Sequence, residues 1–90
     1  MERLHAVIHG DVQEVGFRYF LLRRGRELLL RGWVRNNDDG TVELVAEGER
    51  ADLEELKRAA EKGPSLARVE RVAAWWSAAG GGLGPFDLTA

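Results

Sequence analysis

Gly32-Trp33-Val34-Arg35-Asn36-Asn37-Asp38-Asp39-Gly40-Thr41-Val42-Glu43-Leu44-Val45-Ala46-Glu47 is the stretch on which the fold of this 90-residue chain turns. Two strand patterns, Gly32 to Asn36 and Thr41 to Glu47, flank Asn37-Asp38-Asp39-Gly40. Asp-Gly between such runs is a strong hairpin signal, because the turn needs positive φ and glycine adopts it without steric cost. Val42, Leu44 and Ala46 share one face of the second run, so that face points at a core.

The hairpin is flanked by two helical patterns. Upstream, Phe17 to Leu30 carries Phe17, Leu21, Gly25 and Leu28 on one side, widened by Leu22 and Leu29, with Arg23, Arg26 and Glu27 opposite. Gly25 lies inside the apolar stripe, where glycine costs about 1 kcal/mol relative to alanine; the expected reason is close approach of the helix to the sheet. Downstream, Ala51 to Lys62 buries Leu53, Leu56, Ala59 and Ala60, and Gly63-Pro64 stops it.

Strand patterns close both ends. Leu4, Ala6 and Ile8 alternate with His5, Val7 and His9 over Arg3 to Gly10, and both faces are apolar enough for a central strand. Ala67 to Trp76 is a fourth strand with an irregularity, since Val69 and Val72 differ in parity. Ala79 to Gly84 is a glycine-rich turn, and Pro85 to Leu88 forms a short last strand. The order βαββαβ with a tail predicts an α+β, ferredoxin-like sandwich: an antiparallel sheet with two helices packed on one face. No linker, repeat or low-complexity segment interrupts it, so residues 1–90 are expected to form a single domain.

Composition excludes several functions. With no cysteine there is no disulfide, thiolate metal site or cysteine nucleophile, and a reducing, cytoplasmic setting is expected. Leu28-Leu29-Leu30 is the longest leucine run, far too short to span a membrane. A net charge of −2 argues against a bulk nucleic-acid binder. Charge is uneven, however: Arg18, Arg23, Arg24 and Arg26 crowd one segment, where a small anion is a plausible partner.

That segment opens with Gly10-Asp11-Val12-Gln13-Glu14-Val15-Gly16-Phe17-Arg18, which joins the first strand to the first helix. A helix N-terminus presents unpaired N–H groups and about half a positive charge, and a tight loop before it can turn further N–H groups inward as an anion nest. Arg18 lies in the first turn beside the apolar stripe, a costly place for a guanidinium unless it meets an anion. Its planar fork suits two phosphate oxygens. On these residues alone an ordinary βα turn with a surface arginine stays open, since neither a Walker ending nor a dinucleotide fingerprint is present. Asn36 shares the parity of Val34, so its amide can face inward, orient water and stabilise developing charge; capping of the hairpin is the other reading.

Taken together, Gly10-x-Val12-Gln13-x-Val15-Gly16-Phe17-Arg18 and Gly32-Trp33-Val34-Arg35-Asn36 with Gly40-Thr41-Val42 resemble the acylphosphatase family. The resemblance extends over the whole chain through length and element order. It implies hydrolysis of the carboxyl–phosphate bond of acyl phosphates to a carboxylate and inorganic phosphate by in-line attack of water. Arg18 and Asn36 would be the catalytic pair, with the loop Gln13, Glu14, Val15, Gly16, Phe17 and Arg18 binding the phosphoryl group. It further implies no metal, no cofactor and no covalent intermediate, and a monomer whose only partner is the small substrate. Glu14 departs from the family, which usually has glycine there. If that position needs positive φ, glutamate costs about 1 kcal/mol or more, and its carboxylate would repel an anion. A non-catalytic anion-binding module of the same family is the alternative.

Other candidates are weaker. His5 and His9 share a face of the first strand but lack a third ligand at metal spacing. Ser65 and Ser77 sit in no nucleophile elbow. Trp33, Trp75 and Trp76 are expected to pack on the sheet, with one of the adjacent pair turned away. An RNA-binding ferredoxin-like domain would want exposed aromatics on the two central strands, and neither the first nor the third strand supplies them.

Overall fold

A computed structural model describes residues Met1–Ala90. It contains β1 (Glu2–Asp11), α1 (Phe17–Glu27), β2 (Arg31–Asn36), β3 (Val42–Gly48), α2 (Arg50–Lys62), β4 (Arg68–Ala78) and β5 (Asp87–Leu88). The sheet order is β4-β1-β3-β2-β5. The four longer strands pair antiparallel, as the βαββαβ order demands. β5 extends the sheet at the β2 edge and runs parallel to it, so the complete sheet is mixed.

Alternation decides which face is buried. Leu4, Ala6 and Ile8 of β1, Val34 of β2, and Val42, Leu44 and Ala46 of β3 are all fully buried, and they meet Phe17 and Leu21 of α1 and Leu53, Leu56 and Ala60 of α2 in one core. Both helices therefore cover the same face. Burying a side chain such as Leu or Phe is worth about 1.5–3 kcal/mol, and this core is the main force that brings the two helix stripes onto the sheet.

The parity break in β4 is a bulge. His9 pairs with Arg71 and Gly10 with Val69, which leaves Glu70 as the extra residue. The bulge returns both Val69 and Val72 to the inner face, where they pack on the core. Gly10, at φ 132, is required there: a Cβ would overlap the Arg68 carbonyl and lie 2.9 Å from the Glu70 nitrogen.

Two expectations need correction. α1 ends at Glu27 rather than Leu30. The chain leaves it through Leu29 at φ 56, while the Leu30 N–H donates to the Gly25 carbonyl at 3.0 Å and that of Leu29 to Arg26 at 3.1 Å. This is a Schellman closure with leucine in the left-handed position glycine normally fills, so the apolar pattern runs on past the helix. Gly25, in turn, makes room not for a strand of the main sheet but for the ring of Phe86, just before β5. Trp76 does face the core while Trp75 faces out; Trp76 is covered by the Arg50 guanidinium at 3.6 Å, and the Trp75 ring lies 5.0 Å from that of His5.

Candidate active site

The loop between β1 and α1 is held by buried apolar residues on both sides. Val12 and Phe17 are each 1% exposed, and half-buried Val15 packs on the core between them. Glu14 at φ 63 and Gly16 at φ 79 adopt the left-handed conformation at alternate positions, which curls the backbone tightly. The N–H groups of Gln13, Glu14, Val15 and Gly16 donate to no backbone carbonyl, and those of Phe17 and Arg18 open α1, where no intrahelical acceptor exists. A run of donors is thus left unpaired around one concave turn, the arrangement that binds anions.

The helix end is left positive as well. No side chain caps α1 and its first turn holds no acidic residue. Instead it holds Arg18, whose charge opposes the helix dipole. Among the half-buried arginines, Arg3, Arg24 and Arg35 each bond a carboxylate. Arg18 makes no hydrogen bond or ion pair with any group of the protein. A partly desolvated guanidinium at the positive end of a helix is a poor arrangement for the protein alone and a good one for holding phosphate.

Asn36 ends β2, directly opposite Val42. Its inward orientation is as the strand parity requires. The Asn36 Oδ1 is buried and finds no hydrogen-bond partner in the protein; an orphaned acceptor of this kind costs about 1–3 kcal/mol. Such a cost is tolerated where the acceptor serves a ligand or water.

These groups line one cleft of about 140 Å³, bounded by Val12, Glu14, Gly16, Phe17, Arg18, Tyr19 and Asn36. Water occupies about 30 Å³ in the liquid, so the volume suits a small anion and a water beside it. Of the loop residues marked in the sequence, Gln13 and Val15 do not line the cleft. The Gln13 side chain turns to the β2–β3 hairpin, and its Nε2 donates to the carbonyls of Asn37 at 2.7 Å and Thr41 at 2.9 Å. Val12, which stands in the motif but not among the expected binding residues, lines it as a buried apolar side chain, and so does the exposed Tyr19, which no motif signals.

The hairpin beyond Asn36 is tightly tied. Asp39 accepts from the Thr41 hydroxyl at 2.7 Å and the Thr41 N–H at 3.0 Å, and these bonds hold its carboxyl below the ordinary value. Asn37 Nδ2 donates to Thr41 Oγ1 at 3.0 Å. Turn chemistry thus accounts for Asp39. On the open face of the sheet, Glu43 meets His5 at 2.5 Å and Arg35 at 2.9 Å. Partial burial raises the Glu43 pKa, but hydrogen bonds from His5, Arg35 and Asn37 outweigh it and lower the value overall. No group of three or more His, Cys, Asp or Glu side chains is gathered as a metal site would need.

A ferredoxin-like α+β sandwich with a turn of unpaired N–H donors between its first strand and helix, and an unpartnered arginine and asparagine lining the same cleft, defines a class of α+β proteins with a site suited to a small anion. The comparisons place this chain within it more narrowly. The family model described as Acylphosphatase matches residues 4–87. An acylphosphatase of Anaeromyxobacter sp. (strain Fw109-5) is 49% identical over 88 residues, covering 98% of this chain and 95% of that protein. The crystal structure of acylphosphatase from Bacillus subtilis superposes with a TM-score of 0.96 at 33% identity over 100% of both chains. That of T. kodakarensis HypF matches all of this chain with a TM-score of 0.83 at 35% identity, but over only 12% of its own length. The chain belongs to the acylphosphatase family.

Proposed function

We propose that this chain hydrolyses the carboxyl–phosphate bond of acyl phosphates, with Arg18 and the loop from Gln13 to Arg18 holding the phosphoryl group and Asn36 placing the attacking water. The observation that carries the reading is the buried, unpartnered Oδ1 of Asn36 in the same cleft as the unpartnered Arg18 guanidinium. The loop N–H groups, the α1 N-terminus and Arg18 take the equatorial phosphoryl oxygens and stabilise their charge. Asn36 Oδ1 accepts from water and orients its lone pair at phosphorus, in line with the acyl oxygen. The bond from water to phosphorus forms as the bond to the acyl oxygen breaks. That oxygen leaves as a carboxylate, and the proton of water is left to the phosphate product and solvent. Carboxylate is a good leaving group, so strong general-base help is dispensable, and the mechanism calls on no cofactor, metal or covalent intermediate.

Residues 1–90 are read as one such domain, acting in the cytoplasm as a monomer without a nucleic-acid partner. The one core supports a single domain, the absence of cysteine fits a reducing compartment, and the net charge of −2 speaks against a nucleic-acid partner.

The test is hydrolysis of benzoyl phosphate with inorganic phosphate as a competitive ligand. Asn36→Ala is expected to lower kcat by about 10²–10³ while sparing phosphate binding, and Arg18→Ala to weaken both. Full turnover in Asn36→Ala would remove the role assigned to it. A binding-only module is the second reading, favoured by Glu14, which lines the cleft. Phosphate binding without hydrolysis in the wild-type chain would establish that reading instead.

A further inference from the structure

Gln13 lies in the loop that would bind phosphate, yet its side chain serves the other half of the site. The Nε2 group donates to the Asn37 and Thr41 carbonyls at 2.7 and 2.9 Å. These two carbonyls belong to the residues immediately beyond the Asn36–Val42 pair, on opposite arms of the hairpin. The Asn37 N–H already donates to the Thr41 carbonyl at 2.9 Å, so the hairpin mouth is closed by its own backbone bond and then capped by the glutamine. Both acceptors are carbonyls, which fixes the amide with nitrogen toward the hairpin. An –NH₂ group supplies two donors at one point; of the uncharged side chains, only Gln and Asn do so.

We propose that Gln13 is a positioning residue, a clamp that sets the separation between the phosphate-binding loop and Asn36. The inference rests on the hydrolytic reading above and adds a residue to it. The loop and Asn36 come from different elements, and no other side chain of the Val12–Gly16 loop hydrogen-bonds the hairpin. In-line attack is sensitive to that separation: a shift of about 1 Å in a reacting group can cost about 10²-fold. Phosphate binding is far less sensitive, because the loop N–H groups and Arg18 lie on the Gln13 side of the clamp and move together.

Gln13→Met keeps length and neutrality and removes both donors. With benzoyl phosphate as substrate, kcat is expected to fall by about 10- to 100-fold, while the inhibition constant of inorganic phosphate stays within about threefold. Because the clamp acts through Asn36, adding Gln13→Met to Asn36→Ala is expected to cost little beyond Asn36→Ala alone. Gln13→Ala, with urea unfolding as a check that the fold is retained, is expected to show the same split. Undiminished kcat in both variants, multiplicative losses in the double variant, or a phosphate constant that rises in step with the fall in kcat would each overturn the clamp. An inactive wild-type chain would sink the hydrolytic reading and the clamp with it; an active one unaffected by Gln13→Met would sink the clamp alone.

Discussion

The ring of Phe86 fills the space that a side chain on Gly25 would need: a Cβ placed there would lie 2.8 Å from both Cε2 and Cγ of the ring. Phe86 is fully buried and follows the glycine-rich turn, while Gly25 is buried on α1. The helix accepts a poor helix former so that the last segment can dock. Gly25→Ala is therefore expected to destabilise the protein. Overpacking against a buried ring outweighs the gain of about 1 kcal/mol in helix propensity, for a net loss of about 1–2 kcal/mol. Urea unfolding measures it, and a smaller loss in the Phe86→Leu background would identify the ring as the cause. A rise in stability would show that the ring yields freely.

Leu29 presents the opposite case, a side chain where glycine belongs. It is 88% exposed and held at φ 56 at the end of α1, so it contributes almost no burial while bearing the left-handed penalty of about 1–2 kcal/mol. Leu29→Gly is expected to stabilise by about 0.5–1 kcal/mol after the greater freedom of glycine in the unfolded chain is counted. Thermal melting would register a rise of a few degrees. An unchanged or lower Tm would mean that the leucine contributes through contacts beyond its own turn.

These two positions also show where the sequence is legible and where it is not. Period-2 alternation on β1 and β3 and the 3.6-residue stripes on both helices identify the core because burial acts on every turn and every second residue. The end of α1 is hidden because its stop is made by a leucine in a glycine conformation, while leucines continue the apolar pattern. The pairing of β5 is hidden because two residues carry no usable period. At the site, Arg18 and Asn36 are visible through motif and parity. The Gln13 contact is not, since it spans 24 and 28 residues of sequence and only the folded chain closes that distance.

Glu47 secures the glycine-rich turn from the far end of the sheet. Its carboxylate, 6% exposed, accepts from the Gly80 N–H at 2.9 Å and the Gly81 N–H at 3.1 Å, and pairs with Arg3 at 2.6 Å. The Gly80 bond leads the contributions that lower its pKa below the ordinary 4.5. A depressed folded-state value means stability that is fully present above 4.5 and is lost as pH falls through the folded value. Urea midpoints across the acid range are expected to decline less steeply in Glu47→Gln, which starts lower because the amide keeps one acceptor oxygen but turns an –NH₂ group toward the other N–H donor and loses the charge that pairs with Arg3. An equally steep acid decline in the variant would place the titration elsewhere.

Glu14 joins backbone strain and charge at the mouth of the cleft. At φ 63 it occupies the conformation that L-residues avoid, at a cost of about 1–2 kcal/mol, and it lines the space that Arg18 and Asn36 share. Its carboxylate opposes an incoming phosphoryl group, although exposure to solvent screens much of that repulsion. Glu14→Gly removes both effects. Stability is expected to rise by about 1 kcal/mol, and KM for benzoyl phosphate to fall by a few-fold at low ionic strength. That gain should shrink as salt is added, because it is Coulombic, whereas the gain in stability is steric and should not. A salt-independent change in KM would trace the effect to loop geometry, and an unchanged KM would place the Glu14 carboxylate outside the reach of the bound anion.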